Sequence, residues 1–242
     1  MEPQEEKLLR DLNVSGIARL IDHTLLAQKA SRDAIEKLCI EARSFDFFSV
    51  CVNSFWTKFC KESLAGSGVF VAVTVGFPLG AMSSFAKAKE AEFCVNDGAD
   101  EIDMVMNIGA IKSKDYEKVK SDISGVVTAS SGKLVKVIFE NCLLTDEEKL
   151  TACRLSVEAG AHFVKTSTGF SKGGATVKDV ELMRQAVGPE VGVKAAGGIR
   201  NLDTLLKMVN AGATRIGTSS GVSIIREVIR YFVLSALGGQ EQ

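Results

Sequence analysis

Short apolar runs rich in Val, Ile and Phe recur along the chain. Each is followed by a longer stretch whose apolar residues return every three or four positions. Runs of the first kind suit buried strands, and the longer spacing is that of a helix with one apolar face. The runs lie at 21–26, 47–53, 69–77, 101–107, 134–141, 162–168, 192–196 and 214–218. Helical stretches fall at 31–45, 83–97, 115–130, 146–159, 176–187 and 202–210. The first opens on Ser31, a good N-cap, and puts Ala34, Leu38, Ala42 and Phe45 on one stripe. Gly98, Gly160 and Gly212 stand just past three helical stretches, where a left-handed residue hands the chain to the next strand.

Strand followed by helix, repeated, argues for a parallel sheet covered by helices, either open and doubly wound or closed. The open dinucleotide fold should carry G-x-G-x-x-G after its first strand, yet no glycine occurs between residue 26 and Gly66. Eight units in 242 residues, at roughly 30 residues per βα repeat, predict an α/β fold of the closed (β/α)8 TIM barrel type. With three prolines and no linker-like stretch, residues 1–242 read as one domain. Residues 1–15 are expected to form a helical extension and 238–242 a short polar tail.

Composition narrows the function. The 46% apolar and 24% charged shares exclude disorder and low-complexity scaffolds. With 29 basic and 30 acidic side chains the net charge is −1, so no basic field awaits nucleic acid. No apolar run reaches the about 18 residues of a membrane helix. The opening Met1-Glu-Pro-Gln-Glu-Glu-Lys7 has no secretory or transit character, so a cytosolic protein is expected. Six cysteines without a CxxC pair read as reduced, buried hydrophobes. Two histidines, His23 and His162, fall short of a catalytic zinc set, and neither metal nor cofactor is expected.

Barrel active sites form at the C-terminal ends of strands, so polar residues inside apolar strands are the informative ones. Asp103, Lys136, Glu140, Lys165 and Lys194 are of this kind. Alternation puts Phe163, Lys165 and Ser167 on one face, and Asp103, Val105 and Asn107 on one face of their own strand. A single strand lysine usually snorkels to solvent. Two on consecutive strands at matching depth, with a third on the strand before, point to a shared interior. At an effective dielectric near 20, two charges about 4 Å apart repel by about 4 kcal/mol, equivalent to about three pKa units. One lysine, starting from about 10.4, is then partly neutral at physiological pH. A neutral amine beside a cation is what attack on a carbonyl requires. Asp103 either shuttles protons or holds a lysine charged, and the residues leave both roles open.

Glycine-rich turns are the second signal. Gly197-Gly198 and Gly217-Thr-Ser219-Ser220-Gly221 follow strands seven and eight, where barrels bind phosphate on backbone amides and a helix N-terminus. Gly169, Gly173 and Gly174 add donors after strand six. Asp22, Thr24, Cys51, Lys136 and Thr168 complete the candidate pocket. His23 reads as a hydrogen-bonded structural histidine, and Phe55, Trp56 and Phe59 as helix packing. The charges at 61–62 and 146–149 read as solvated helix faces.

Taken in order, the strand motifs resemble the deoxyribose-phosphate aldolase family. They are Ile21-Asp-His-Thr-Leu-Leu26, Val50-Cys-Val-Asn53, Val75-Gly-Phe-Pro-Leu-Gly80, Glu101-Ile-Asp-Met-Val-Met-Asn-Ile-Gly109, Lys136-Val-Ile-Phe-Glu140, Phe163-Val-Lys-Thr-Ser-Thr-Gly-Phe170, Val193-Lys-Ala-Ala-Gly-Gly-Ile-Arg200 and Arg215-Ile-Gly-Thr-Ser-Ser-Gly221. The resemblance implies a metal-free class I aldolase that cleaves 2-deoxy-D-ribose 5-phosphate to acetaldehyde and D-glyceraldehyde 3-phosphate. It also implies that Lys165 forms the imine, Lys194 lowers the pKa of Lys165, and Asp103 transfers protons. Phosphate would sit at Gly169, Gly197-Gly198 and Ser219-Ser220. Four features depart from the family pattern: Ser54 where Pro is common, Asn141 where Thr is, Ala196 where Ser is, and no C-terminal tyrosine, Tyr231 lying within the last helical stretch. Two other readings of the same residues are a phosphosugar isomerase or epimerase with Asp103 as base, and a catalytically silent barrel that binds a phosphometabolite. The expected partner is a small phosphorylated sugar, and a homodimer is compatible with a sequence that shows no readable interface.

Overall fold

The apolar runs become parallel strands that hydrogen-bond in chain order until the last pairs with the first, closing a barrel. They are β1 (Ile21–Leu25), β2 (Ser49–Asn53), β3 (Phe70–Val75), β4 (Glu101–Val105), β5 (Leu134–Ile138), β6 (Phe163–Lys165), β7 (Gly192–Ala196) and β8 (Arg215–Thr218). Around them run α1 (Pro3–Ala18), α2 (Arg32–Ser44), α3 (Thr57–Ser63), α4 (Ser84–Asn96), α5 (Ile108–Lys112), α6 (Tyr116–Ala129), α7 (Asp146–Glu158), α8 (Val177–Val187), α9 (Leu202–Asn210) and α10 (Gly221–Gly238). This computed structural model describes residues 2–238, so residues 239–242 of the expected tail lie outside the described residues. Among the described residues no helix is long and apolar enough to cross a membrane.

Period-2 alternation decides what each strand turns inward. Val50, Val71, Ile102, Val135, Val164, Val193 and Ile216 belong to the main apolar core shared with the helices. The residues between them, Asp22, Cys51, Glu101, Asp103, Lys136, Lys165, Lys194 and Arg215, are buried as well. Barrels commonly fill their centre with layers of branched apolar side chains. Here the apolar share of the centre is small: Leu26, Cys51 and Ala72, with Phe77 against them. Charged side chains fill most of the rest, with the hydroxyls of Ser49 and Thr74 among them.

Several expectations shift locally. Strand β6 stops at Lys165, and Thr166 secures the departing chain, accepting from the Ala196 amide at 3.1 Å and donating to its carbonyl at 3.0 Å. The buried stripe of α2 is Ile35, Leu38, Cys39 and Ala42, one position off the expected start. Helix α1 is longer than residues 1–15 and breaks at Asn13, whose side chain caps the second piece by accepting from the Ser15 amide at 2.9 Å. Gly98, Gly160 and Gly212 take positive φ after α4, α7 and α9, as the helix-to-strand turns require. All six cysteines are free thiols. Phe55 packs on no core, being 81% exposed. Lys149 is no solvated charge: it is buried and bonds Asp179 at 2.6 Å, tying α7 to α8.

Candidate active site

Lys165 and Lys194 are direct register partners on β6 and β7, and Asp103 and Lys136 are partners on β4 and β5. Matching depth therefore follows from the sheet. Both ammonium groups bond the same oxygen of Asp103, Oδ2, at 2.7 Å each. The other oxygen, Oδ1, accepts from Lys136 at 2.7 Å. The contacts continue through Glu101 and Arg215, two residues the sequence reading passed over. Lys136 bonds Glu101 at 2.6 Å, Glu101 bonds Arg215 at 2.6 Å, and Arg215 bonds Asp22 at 2.8 Å. Asp22 closes the path with an ion pair to Lys194 at 2.5 Å and accepts from Ser49 at 2.7 Å. The result is a closed ring of alternating charge, Asp22, Arg215, Glu101, Lys136, Asp103 and Lys194, with Lys165 attached at Asp103.

Burial alone would push the Asp103 carboxyl up. The ammoniums of Lys136, Lys165 and Lys194 outweigh it and hold the group well below the usual carboxylate range. Asp22 is likewise lowered, by Lys194 and Arg215 against burial. Burial would pull Lys194 down, but Asp103 and Asp22 reverse that and raise it above an ordinary lysine. So the two lysines do not face each other across an empty gap. A carboxylate oxygen stands between them and keeps Lys194 charged. An Asp103 so firmly ionised is a weak base, and its geometry suits holding charge in place more than collecting protons.

Above the ring lies a cavity of about 570 Å³. Lys165 reaches its floor, and Thr24, Thr168, Gly169, Gly197, Gly198 and Ser219 line it. Lys29 and Arg200 stand exposed at its rim, two cations that no strand pattern reveals. The expected pocket residues Asp22, Cys51 and Lys136 do not line the cavity. They lie within the barrel: the first and last belong to the ring, and the Cys51 thiol, raised by burial, sits 3.9 Å from Asp103. Ser220 does not line it either, and its amide is spent on Thr218 Oγ1 at 2.9 Å. At the start of α9 the amides of Leu202 and Thr204 are taken by Glu227 and Asn201. The donors left to face an anion are therefore those of the glycine turns and of residue 219.

His23 is the structural histidine expected, its Nε2 2.8 Å from Glu41, and burial lowers its pKa. Glu140, two residues past β5, takes a left-handed conformation, φ 56°, and accepts from the Thr168 hydroxyl, which in turn accepts from the Phe170 amide at 3.0 Å. That chain of bonds holds the loop carrying Gly169.

A family model described as DeoC/LacD family aldolase matches residues 17–230. The chain belongs to this aldolase family. The deoxyribose-phosphate aldolase of Lysinibacillus sphaericus is 58% identical over 215 residues, spanning 88% of this chain and 96% of that protein. That of Brevibacillus brevis is 59% identical over 207 residues, spanning 86% and 94%. A solved structure described as the unique tetrameric structure of deoxyribose phosphate aldolase from Aeropyrum pernix matches with TM-score 0.85 at 32% identity, covering 93% of this chain and 97% of that one. As an aldolase of this family the chain keeps its departures local. Ser54 bonds Glu90 at 3.0 Å and Asn141 is buried beside Met183, both off the cavity, whereas Ala196 lines it. Tyr231 donates to Glu6 at 2.7 Å, joining α10 to α1, and takes no part in the aldolase site.

Proposed function

We propose that this aldolase cleaves 2-deoxy-D-ribose 5-phosphate reversibly into acetaldehyde and D-glyceraldehyde 3-phosphate, through an imine on Lys165. The observation that carries the reading is charge balance. Four cations, Lys136, Lys165, Lys194 and Arg215, share three carboxylates, Asp22, Glu101 and Asp103. Lys165 alone among the four lines the cavity. Loss of one proton from the cluster balances it, and the amine that faces substrate is the useful place for that loss.

The free amine attacks the aldehyde carbon of the open-chain sugar, and water leaves as the imine forms. Removal of the C3 hydroxyl proton lets the C2–C3 bond break. Its electron pair passes to the imine, which becomes an enamine, and glyceraldehyde 3-phosphate departs. Protonation at C2 and hydrolysis release acetaldehyde and restore the amine. Charged Lys194, held by Asp103 and Asp22, favours the neutral amine beside it and is placed as a proton donor. The turns at Gly169, Gly197-Gly198 and Ser219, with Lys29 and Arg200 at the rim, suit the 5-phosphate. The chemistry draws on lysine alone, in a cytosolic enzyme with no cofactor. Assembly as a homodimer remains part of this reading, beside the tetramer described for the Aeropyrum pernix protein.

Borohydride added with substrate should fix mass on Lys165 irreversibly, and Lys165→Leu should abolish turnover with the circular dichroism spectrum unchanged. Active enzyme whose Lys165 peptide stays unmodified would overturn the assignment. An isomerase using Asp103 as base leaves the lysines idle and would tolerate Lys165→Arg.

A further inference from the structure

The ring has a property that no single pair in it shows. Its three cations, Arg215, Lys136 and Lys194, alternate with its three carboxylates, so the ring is neutral when every member is ionised. Of the four described cations in this cluster, Lys165 is the one without a carboxylate of its own. It shares Asp103 Oδ2 with Lys194. Arg215 and Glu101 close the far side of the ring, and neither lines the cavity. Arg215 is further fixed by stacking, its guanidinium carbon 3.4 Å from the centre of the Phe48 ring.

We propose that Arg215 and Glu101 are positioning residues whose charges keep the ring neutral, and that this balance sets how readily Lys165 gives up its proton to become the nucleophile. The inference rests on the imine reading above and extends it to two residues that do not touch substrate. The physical step is conservation of local charge in a buried site. Without Arg215, two cations face three carboxylates, and the Lys165 ammonium becomes the missing counter-charge, so it keeps its proton to higher pH. Without the Glu101 charge, the ring carries an excess cation, and Lys165 sheds its proton at lower pH.

The groups around Lys165 leave few other candidates for this role. Asp22 comes from β1, the Cys51 thiol from β2, Glu101 and Asp103 from β4, Lys136 from β5, Lys194 from β7 and Arg215 from β8. Strand β3 turns no ionisable side chain inward, its central positions being Ala72 and Thr74. Of the loops, Glu140 is engaged with Thr168, while Lys29 and Arg200 are exposed at the rim, where solvent screens them.

The test follows imine capture on Lys165 with acetaldehyde and cyanoborohydride across pH, read as the rate of mass gain on the intact protein. In Arg215→Met the half-rise of the profile should move up by on the order of one pH unit. In Glu101→Gln it should move down by a similar amount. The double variant R215M/E101Q, neutral again, and Arg215→Lys, which keeps the charge without the fork, should both return to the wild-type position. A purely structural role would lower rates without moving the half-rise in opposite directions. Should Arg215→Met fail to fold, Glu101→Gln and the charge-keeping Arg215→Lys decide alone. A Glu101→Gln profile superimposed on wild type overturns the proposal. Wild-type protein that gains no mass on Lys165 would remove the imine reading, and this inference with it.

Discussion

Two glycines show how closely the cavity frame is built. An alanine at 174 would set its Cβ 2.3 Å from the carbonyl oxygen of Gly197, and Ala175 already donates to that oxygen at 3.0 Å. The loop after β6 is thereby pressed, backbone to backbone, on the turn after β7. Gly197 itself has φ +89°, a conformation a side chain would strain. Lys165 belongs to the strand and is untouched by this contact, so Gly174→Ala separates binding from chemistry. Its KM for the phosphorylated substrate should rise about tenfold with a smaller change in kcat. KM for unphosphorylated 2-deoxyribose should stay put; a parallel rise there would show that the turns frame the sugar and not the phosphate. Gly197, Gly198 and Gly169 were legible as a group, because glycine runs after the late strands of a barrel have few other uses. The loss of Ser220 as a donor was not, since its amide bond to Thr218 depends on how the turn folds.

Among elements, strands and helices were readable because the two periods differ. Boundaries failed where strands end, as at β6, because residues 166–168 keep an apolar-flanked pattern while their bonds go to loops. Glu101 and Arg215 were missed although the pattern reached them. They sit two positions before Asp103 and before Gly217, on the same inward faces, and a charge at a strand's first residue reads as an end cap. Lys87 was missed on a helix, where a lysine reads as part of the solvated face. It falls in register with Ala91 and Cys94, the buried stripe of α4, and is itself fully buried. Its ammonium bonds Asp122 of α6 at 2.5 Å and the carbonyls of Val105 and Gly80 at 2.9 and 3.2 Å. These bonds tie the two helices to the end of β4 and to the loop after β3. Lys87→Met, which strands the Asp122 charge, should cost about 3–5 kcal/mol of stability in urea melts. The double variant K87M/D122L should recover most of it, because a well-packed apolar pair removes the buried charge altogether. Equal losses in both would mean that the carbonyl bonds, not the ion pair, hold the helices.

At the scale of the molecule, a barrel whose centre is filled by ions has its stability tied to pH. Asp103 and Asp22 are both held below the ordinary carboxylate value in the fold. For a group lowered on folding, the stabilisation is complete above the unfolded value, about 3.9 for Asp, and drains away as pH falls towards the folded one. Between those limits the unfolded chain binds protons that the fold refuses. With two such groups the tilt reaches about 2.7 kcal/mol per pH unit. The fold should therefore lose stability steeply from about pH 4 downward and little between about pH 5 and 8. Lowered carboxylates also exist outside the ring, at Glu6, Asp146, Glu148 and Glu158, but these are not buried and pair mainly with exposed cations, Asp146 with buried Lys149 as well. In about 1 M salt, where screening acts within about 3 Å, their share vanishes while the buried ring keeps its own. Denaturant melts from pH 6 to about 3, at low and high salt, separate the two. A steep acid limb that persists in salt is the ring's signature. If salt flattens it, acid sensitivity belongs to the surface, and the barrel centre contributes no such linkage.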